Sequence, residues 1–261
     1  MLLDDIIANK RQEIEKFKGV DLARFAGKVG PTQNFLAAFH KDKLTLIAEV
    51  KKASPSAGLI RQDFDPAAIA KIYEQSGAGA ISVLTDEKFF QGKIDYLKLV
   101  KEAVAVPVLR KDFIIDESQI YEARIAGADA VLLIARILQD SELINFLCRA
   151  HELGMKALVE VHNEAELERV LNTEAKVIGI NNRDLETLKV DLGITSRLIE
   201  TFPQIKARII ISESGIKTAN DIDRLRQVGV NGVLIGETLM KAGEIGAKVK
   251  ELGFWELTIV C

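Results

Sequence analysis

The chain has 261 residues, a formal net charge of −3, and a composition of 48% hydrophobic and 28% charged residues. These values are typical of a globular protein with a large core, and they offer no electrostatic case for binding nucleic acid or an anionic membrane. The first residues lack the apolar core of a secretory signal, and no segment has the roughly 18–20 uninterrupted apolar residues of a membrane span. With Cys148 and Cys261 as the only cysteines, we expect no disulfide framework and a cytoplasmic location.

Eight short runs rich in Val, Ile and Leu recur along the chain. They cover residues 44–50, 80–84, 106–109, 130–134, 157–161, 177–180, 208–211 and 232–235. Runs that are continuously apolar, rather than alternating, are typical of parallel strands covered on both faces. Their mean spacing of about 27 residues is close to the length of one strand plus one crossover helix.

Helical patterns fill the segments between these runs. Asp65 followed by Pro66 predicts a helix N-cap with proline in the first turn, and Gly127, Gly154 and Gly229 each follow a helical pattern as a C-terminal glycine. Strand–helix alternation repeated eight times predicts an α/β protein, a closed (β/α)8 TIM barrel. A doubly wound open sheet is the alternative, but its Gly-x-Gly-x-x-Gly turn is missing after the first strand.

The residues before the first strand carry two helical patterns of their own, over residues 4–18 and 34–40. We expect these additional N-terminal helices to form a lid over the barrel mouth or to pack against its side. No linker separates them from the rest of the chain. The prediction is therefore one domain over residues 1–261, with a helical extension over 1–43 and a barrel over 44–261.

Polar residues gather where the predicted strands end. Glu49 and Lys51 end the first run two residues apart, a spacing that puts both side chains on one face of a strand. Two charges inside an apolar strand are costly unless they pair or take part in chemistry. In a (β/α)8 barrel the catalytic residues come from the C-terminal ends of several strands, so these ends predict an active site.

Two lysines and three glutamates at these ends are expected to meet in one pocket. They are Lys51, Lys111, Glu49, Glu160 and Glu213. Mixed charges in a water-poor pocket shift one another's pKa values, which suits acid–base catalysis. A structural ion-pair network at the barrel top is the alternative.

The last two strand ends predict a phosphate site. Ser214-Gly215 and Gly236-Glu237 open short loops that lead into helices. Backbone N–H groups at helix N-termini bind phosphate, and strands seven and eight commonly host a phosphate group in this fold. The side chain of Glu237 is expected to point away from the phosphate, so that only its N–H contributes. The alternative is that both glycines simply serve turns.

No metal site or nucleophile motif emerges from the sequence. The three histidines, His40, His151 and His162, are scattered, and each is interpreted as structural or solvated. Ser214 has no histidine placed by sequence to activate it, and no nucleophile elbow or Walker loop is present.

Six stretches of the chain together closely resemble the indole-3-glycerol phosphate synthase family of tryptophan biosynthesis. They are residues 47–56, 109–113, 158–162, 178–185, 212–216 and 233–236. They occur in the right order on the predicted strands, and the resemblance extends over the whole chain. It implies a carboxy-lyase without cofactor or metal. The substrate would be 1-(2-carboxyphenylamino)-1-deoxyribulose 5-phosphate, and the products indole-3-glycerol phosphate, carbon dioxide and water.

The resemblance also implies roles for single residues. Lys111 would be the general acid on the carbonyl oxygen, and Glu160 the base or acid that helps dehydration. Lys51, paired with Glu49, would position the substrate carboxylate or assist proton transfer. The resemblance implies that Asn181 and Arg183 hold the hydroxyl and ring region of the intermediate, with Glu213 and Ser214 in support. The implied phosphate ligands are Ser56, Gly215, Gly236 and the N–H of Glu237. The implied ring contacts are Phe113, with Phe89 and Phe90.

The expected partner is a small phosphorylated substrate, without nucleic acid or membrane, and the expected state is a monomer, with a homodimer as the alternative. Two other functions stay open. One is another phosphosugar barrel, such as a phosphoribosylanthranilate isomerase, against which the Glu49/Lys51 pair and residues 181–184 argue. The other is a barrel that binds a phosphorylated ligand without turnover, against which the presence of Lys111 and Glu160 argues.

Overall fold

The computed structural model describes residues 2–40 and 43–254. At its centre, eight parallel strands form a closed barrel, which confirms the predicted (β/α)8 fold. The strands are β1 Thr45–Val50, β2 Ala80–Leu84, β3 Val108–Lys111, β4 Ala130–Ile134, β5 Lys156–Val161, β6 Val177–Asn181, β7 Ile209–Glu213 and β8 Gly232–Ile235. The barrel closes where β8 pairs with β1, with Gly232 opposite Thr45. The predicted end of the barrel domain, residues 255–261, lies outside the described residues.

Helices surround the barrel and connect its strands. They are α1 Leu2–Glu13, α2 Leu22–Ala26, α3 Pro66–Gln75, α4 Glu87–Phe90, α5 Ile94–Ala103, α6 Glu117–Ile125, α7 Asp140–Glu152, α8 Glu164–Leu171, α9 Gly193–Thr201, α10 Ala219–Val228, α11 Glu237–Met240 and α12 Ile245–Glu251. The predicted start of α3 is confirmed, because the Asp65 side chain accepts hydrogen bonds from the N–H groups of Ala67 and Ala68, both at 3.0 Å.

Most predicted elements differ from the observed ones by a few residues at their ends, and two of them differ in a way that has a clear physical reason. The third strand was predicted over residues 106–109 but runs over Val108–Lys111. Pro107 has no N–H to donate to a ladder, whereas Lys111 still pairs with Leu84 of the neighbouring strand. The helical pattern over residues 34–40 forms only a short 3-10 turn, Phe35–Ala38.

Successive residues of each strand point alternately into the barrel and toward the helices. The interior is filled by one apolar set that includes Ile47, Leu109, Leu132, Leu158, Ile211 and Leu234. Two residues further along β1, β5 and β7, the inward positions hold Glu49, Glu160 and Glu213. The predicted acidic residues therefore form a layer directly above an apolar plug, at the C-terminal mouth of the barrel.

The N-terminal extension covers both ends of the barrel. At the mouth, Ile6 of α1 is buried and packs on the interior cluster. At the opposite end, Phe35 is fully buried, and the Thr45 hydroxyl donates a hydrogen bond to the Ala38 carbonyl oxygen at 2.7 Å. Of the two predicted placements, α1 thus takes the lid position, while the following turn closes the bottom of the barrel.

A buried cluster of charges joins α1 to the barrel. The Lys10 ammonium lies 2.9 Å from Asp86 Oδ2 and 2.8 Å from Asp112 Oδ1, and its side chain is 1% exposed. Arg110 also pairs with Asp112, at 3.0 Å. Burial opposes the charged form of Asp112, but Arg110 and Lys10 outweigh it and lower its pKa to about 2. No local sequence pattern marks Lys10 for this role, because its two partners lie more than 70 residues further along the chain.

Replacing Lys10 with methionine should lower the free energy of unfolding by about 3–5 kcal/mol, because it removes a shared cation from two buried carboxylates. Urea denaturation at pH 7 measures this loss. Lys16→Met is the matched control, since Lys16 pairs with Glu122 from an exposed position and its loss should cost at most about 1 kcal/mol. Equal losses in the two variants would contradict the expected role of Lys10.

The same cluster predicts a pH dependence. Because the pKa of Asp112 is lowered on folding, its contribution to stability is present above its ordinary pKa of 3.8 and is lost as the pH falls through about 2. The difference in stability between wild type and Lys10→Met should therefore narrow below about pH 4.

Candidate active site

A cavity of about 1030 Å³ opens at the C-terminal ends of the barrel strands. The residues predicted for the site all line it. They are Glu49, Lys51, Ser56, Lys111, Phe113, Glu160, Asn181, Arg183, Glu213, Ser214, Gly215, Gly236 and Glu237. The structure therefore brings these residues together from six of the eight strand ends, whereas their separate chemical roles stay predictions.

Lys111 stands at the end of β3 between two carboxylates. Its Nζ lies 3.2 Å from Glu160 Oε2 and 3.3 Å from Glu213 Oε2. Burial opposes the charged form of Lys111, but the charges of Glu160, Glu213 and Glu49 outweigh it and raise the pKa above its ordinary value. Lys111 is thus held as an ammonium that can donate a hydrogen bond or a proton to an oxygen in the cavity.

The two carboxylates that face Lys111 have pKa values shifted in opposite directions. For Glu160, burial favours the neutral form, but Lys111, His162 and Asn181 favour the charged form and lower the pKa. For Glu213, burial and the charges of Glu160 and Glu49 outweigh the attraction of Lys111 and raise the pKa to about 8. Such a split provides one carboxylate and one carboxylic acid side by side at neutral pH.

Two glycines leave space for the carboxylates of Glu213 and Glu49. A Cβ atom on Gly179 would lie 2.1 Å from Glu213 Oε1, and one on Gly236 would lie 2.2 Å from Glu49 Oε1. Both distances are far below van der Waals contact, so any side chain at either position would displace a carboxylate.

Glu49 and Lys51 lie on the same face at the end of β1, as predicted. Lys51 Nζ lies 2.7 Å from Glu49 Oε1, and both side chains point into the cavity. The hydroxyl of the buried Tyr73 donates a hydrogen bond to the backbone oxygen of Glu49 at 3.2 Å, which fixes the end of β1. Lys51 is the more exposed partner of the two.

The ends of β7 and β8 form one polar side of the cavity. Ser214 and Gly215 both have positive φ angles, 66° and 85°, and turn the chain sharply after β7. Thr238 ties the two strand ends together, because its hydroxyl donates to the Ile216 carbonyl oxygen at 2.6 Å. Gly236 and Glu237 follow β8 beside them, at the start of α11.

The side chain of Glu237 is held by two cations at this side of the cavity. Its carboxylate lies 3.4 Å from an Arg183 guanidinium nitrogen and 2.6 Å from Lys241 Nζ. Burial favours the neutral form of Glu237, but Lys241, Lys51 and Arg183 outweigh it and lower the pKa. The carboxylate is therefore neutralised within the protein, which leaves the polar side able to accept an anion.

The opposite side of the cavity is apolar. It is lined by Leu2, Leu3, Ile6, Phe90, Phe113, Leu132 and Ile134. The rings of Phe90 and Phe113 pack at 6.0 Å between centroids. Phe89, which the family resemblance implies for the ring, does not line the cavity.

Some residues in the site or directly behind it were not predicted from the sequence. His162 was interpreted as structural or solvated, yet its Nε2 lies 3.2 Å from Glu160 Oε1. It follows Glu160 by two residues, the spacing that singled out Glu49 and Lys51, so the same-face rule could have found it. Leu2 and Leu3 line the cavity, but no sequence pattern predicts this, because an amphipathic pattern does not show which surface a helix covers.

Within residues 2–40 and 43–254, no three His, Cys, Asp or Glu side chains are grouped to hold a metal ion. No helix of this part of the chain is long and apolar enough to cross a membrane.

The fold and the cavity define a (β/α)8-barrel enzyme with an acid–base cluster between a polar and an apolar side. Comparison with known proteins gives the family. The family model for indole-3-glycerol phosphate synthase matches residues 3–252, and the chain belongs to the indole-3-glycerol phosphate synthase family.

Curated relatives agree over nearly their whole length. The chain is 48% identical over 257 residues to indole-3-glycerol phosphate synthase of Desulforamulus reducens, with 97% of each chain covered. It is 49% identical over 246 residues to that of Clostridium acetobutylicum, with 92% and 93% covered. Among solved structures, thiamine phosphate pyrophosphorylase from Pyrococcus furiosus matches with a TM-score of 0.59 at 14% identity, covering 81% of this chain and 95% of that one. That likeness shows the fold alone.

Proposed function

We propose that this protein is an indole-3-glycerol phosphate synthase acting in tryptophan biosynthesis. It converts 1-(2-carboxyphenylamino)-1-deoxyribulose 5-phosphate into indole-3-glycerol phosphate, carbon dioxide and water. The observation that carries the proposal is the ammonium of Lys111 between the charged Glu160 and the more weakly acidic Glu213. This cluster lies in a cavity that has one polar and one apolar side.

The two sides of the cavity suit the two ends of this substrate. The phosphate would lie on the polar side, bound by the Ser56 hydroxyl and by N–H groups at Gly215, Gly236 and Glu237. The carboxyphenyl ring would lie against the apolar side, on Phe113 and its neighbours. The ketone would then fall between the two, at the acid–base cluster.

In the ring-closing step, a ring carbon attacks the ketone carbon, and Lys111 donates a proton to the oxygen that becomes a hydroxyl. The carboxylate on the attacking carbon then leaves as carbon dioxide, and its bonding electron pair restores the aromatic ring. Lys51, paired with Glu49, either holds that carboxylate before it leaves or assists proton transfer. A cation aimed at a developing oxyanion stabilises the transition state more than the ground state.

In the dehydration step, the new hydroxyl leaves as water while the neighbouring carbon loses a proton. Glu160 serves as the base or acid for this step, and Asn181 orients it by donating a hydrogen bond to Oε1 at 3.1 Å. Asn181 and Arg183 would also hold the hydroxyl and ring region of the intermediate, with Glu213 and Ser214 in support.

The proposal is tested by adding the substrate to the purified protein and following the fluorescence of the indole product. We expect turnover without added cofactor and no effect of EDTA. Binding of the substrate without product would favour the non-catalytic binder, and conversion of phosphoribosylanthranilate instead would favour the isomerase. Either outcome would contradict the proposal.

For its cellular setting, we propose a cytoplasmic monomer. Light scattering coupled to size-exclusion chromatography would give a mass near 28.8 kDa for a monomer and twice that for the alternative homodimer.

A further inference from the structure

A second layer of charged groups lies behind Glu160. His162 is 7% exposed and does not line the cavity. Its Nε2 lies 3.2 Å from Glu160 Oε1, and its Nδ1 lies 3.0 Å from Glu166 Oε2. The imidazole therefore joins an active-site carboxylate to a second carboxylate that does not reach the substrate cavity.

Glu166 is itself held in place at the start of α8. Its Oε2 also accepts the backbone N–H of His162 at 2.8 Å, and its Oε1 accepts the Asn163 side-chain amide at 2.8 Å. Asn163 in turn caps α8, because its Oδ1 accepts the N–H of Glu166 at 2.9 Å. Glu166 is 6% exposed, so a buried, fixed carboxylate faces the outer nitrogen of the His162 ring.

We propose that His162, held by Glu166, is a positioning residue that orients Glu160 and keeps it ionised. With Nδ1 held by Glu166, a protonated ring keeps Nε2 3.2 Å from Glu160 Oε1, at ion-pair distance without an aligned hydrogen bond, so it acts on Glu160 through its charge. Asn181 donates to the same oxygen, so Oε2 is left to face Lys111 and the reacting atoms. This inference rests on the proposed function, in which Glu160 is the acid–base group of the dehydration step.

The electrostatics of the surroundings agree with this geometry. Burial opposes the charged form of His162, but Glu160 and Glu166 outweigh it and raise the pKa of the ring to about 9. The charged groups that face Glu160 from other elements are Lys111 of β3 and Glu213 of β7. A substitution at Glu166 changes neither of these, so it acts on Glu160 through His162.

Glu166→Gln is the sharpest test, because the amide can still accept the N–H of His162 but carries no charge. The imidazole should then be neutral at neutral pH, and the pKa of Glu160 should rise. We expect kcat to fall by about 10-fold to 100-fold, the range seen when the outer partner of an orienting histidine is lost at metal sites. KM should stay within about twofold of the wild-type value. In a plot of kcat against pH, the fall in kcat on the acid side should move to higher pH by at least about half a unit.

Two further variants separate this role from a structural one. Glu164→Gln removes an exposed carboxylate from the same first turn of α8 and should match wild type in rate and pH profile. His162→Gln keeps a neutral amide that can donate to Glu160, and it should retain more activity than His162→Phe but show the same shifted acid limb. Thermal unfolding of each variant reports the structural part of the effect.

A Glu166→Gln variant with a lower Tm but with the wild-type kcat and the wild-type acid-side pH dependence of kcat would overturn the proposal. The His162–Glu166 pair would then only stabilise α8. If that variant does not fold, an unshifted acid limb in His162→Gln would overturn it equally. A wild-type protein without indole formation would instead refute the proposed function. In that case, NMR titration of the three histidines still tests the positioning role, because a His162 ring that titrates near its ordinary pKa of 6.5 contradicts it.

Discussion

Lys111→Ala should lower turnover by about 10²–10⁴-fold, the usual cost of losing one acid–base group, while the barrel stays folded. Lys111 is the cation that faces both Glu160 and Glu213, and its raised pKa keeps it protonated when the ketone oxygen needs a proton. Steady-state kinetics with the fluorescent product should show the loss mainly in kcat, because the proton is transferred in the transition state rather than on binding.

Lys156→Ala is the matched control for this variant. Lys156 begins β5, at the opposite end of the barrel from the cavity, so its removal should leave kcat near the wild-type value. Circular dichroism of both variants checks that the fold is retained. Near-normal activity of Lys111→Ala would refute its assignment as the general acid and would transfer that role to Lys51.

Glu160→Gln should also lower kcat by about 10²–10⁴-fold, with little change in KM. The amide keeps the shape of the side chain and can still accept a hydrogen bond from Asn181, but it cannot take up or release a proton. Glu168→Gln, on the exposed side of α8, is the matched control and should be as active as wild type.

Glu160→Gln should also change the titration of Glu213. The charge of Glu160 contributes to the raised pKa of Glu213, so its removal should let Glu213 ionise at lower pH than the wild-type value of about 8. Infrared or carbon NMR titration of the buried carboxyl group measures this shift. An unchanged titration of Glu213 would contradict the electrostatic coupling of the two carboxylates.

Much of the fold and of the site could be predicted from local patterns. Continuous apolar runs gave the strands, and the rule that catalytic groups lie at strand C-termini gave the mouth that holds Lys111, Glu160 and Asn181. The start of β3 after Pro107 was not predicted, because an apolar pattern does not show that proline lacks the N–H that strand pairing needs. His162 was missed because histidines were weighed one by one and not against the strand neighbour on the same face.

The spacing of residues along the chain is enough to predict eight strand–helix units, which favour a closed barrel, and a Glu49/Lys51 pair on one face of the first strand, because side chains on a strand repeat every two residues. The tertiary structure alone places α1 over the mouth, since Lys10 pairs with Asp86 and Asp112, which lie just after β2 and β3 and far from Lys10 along the chain. It also decided which glutamate stays charged. The protonation of Glu160 and Glu213 depends on their burial and on their distances to Lys111 and His162. The spacing of residues along one strand does not predict these quantities.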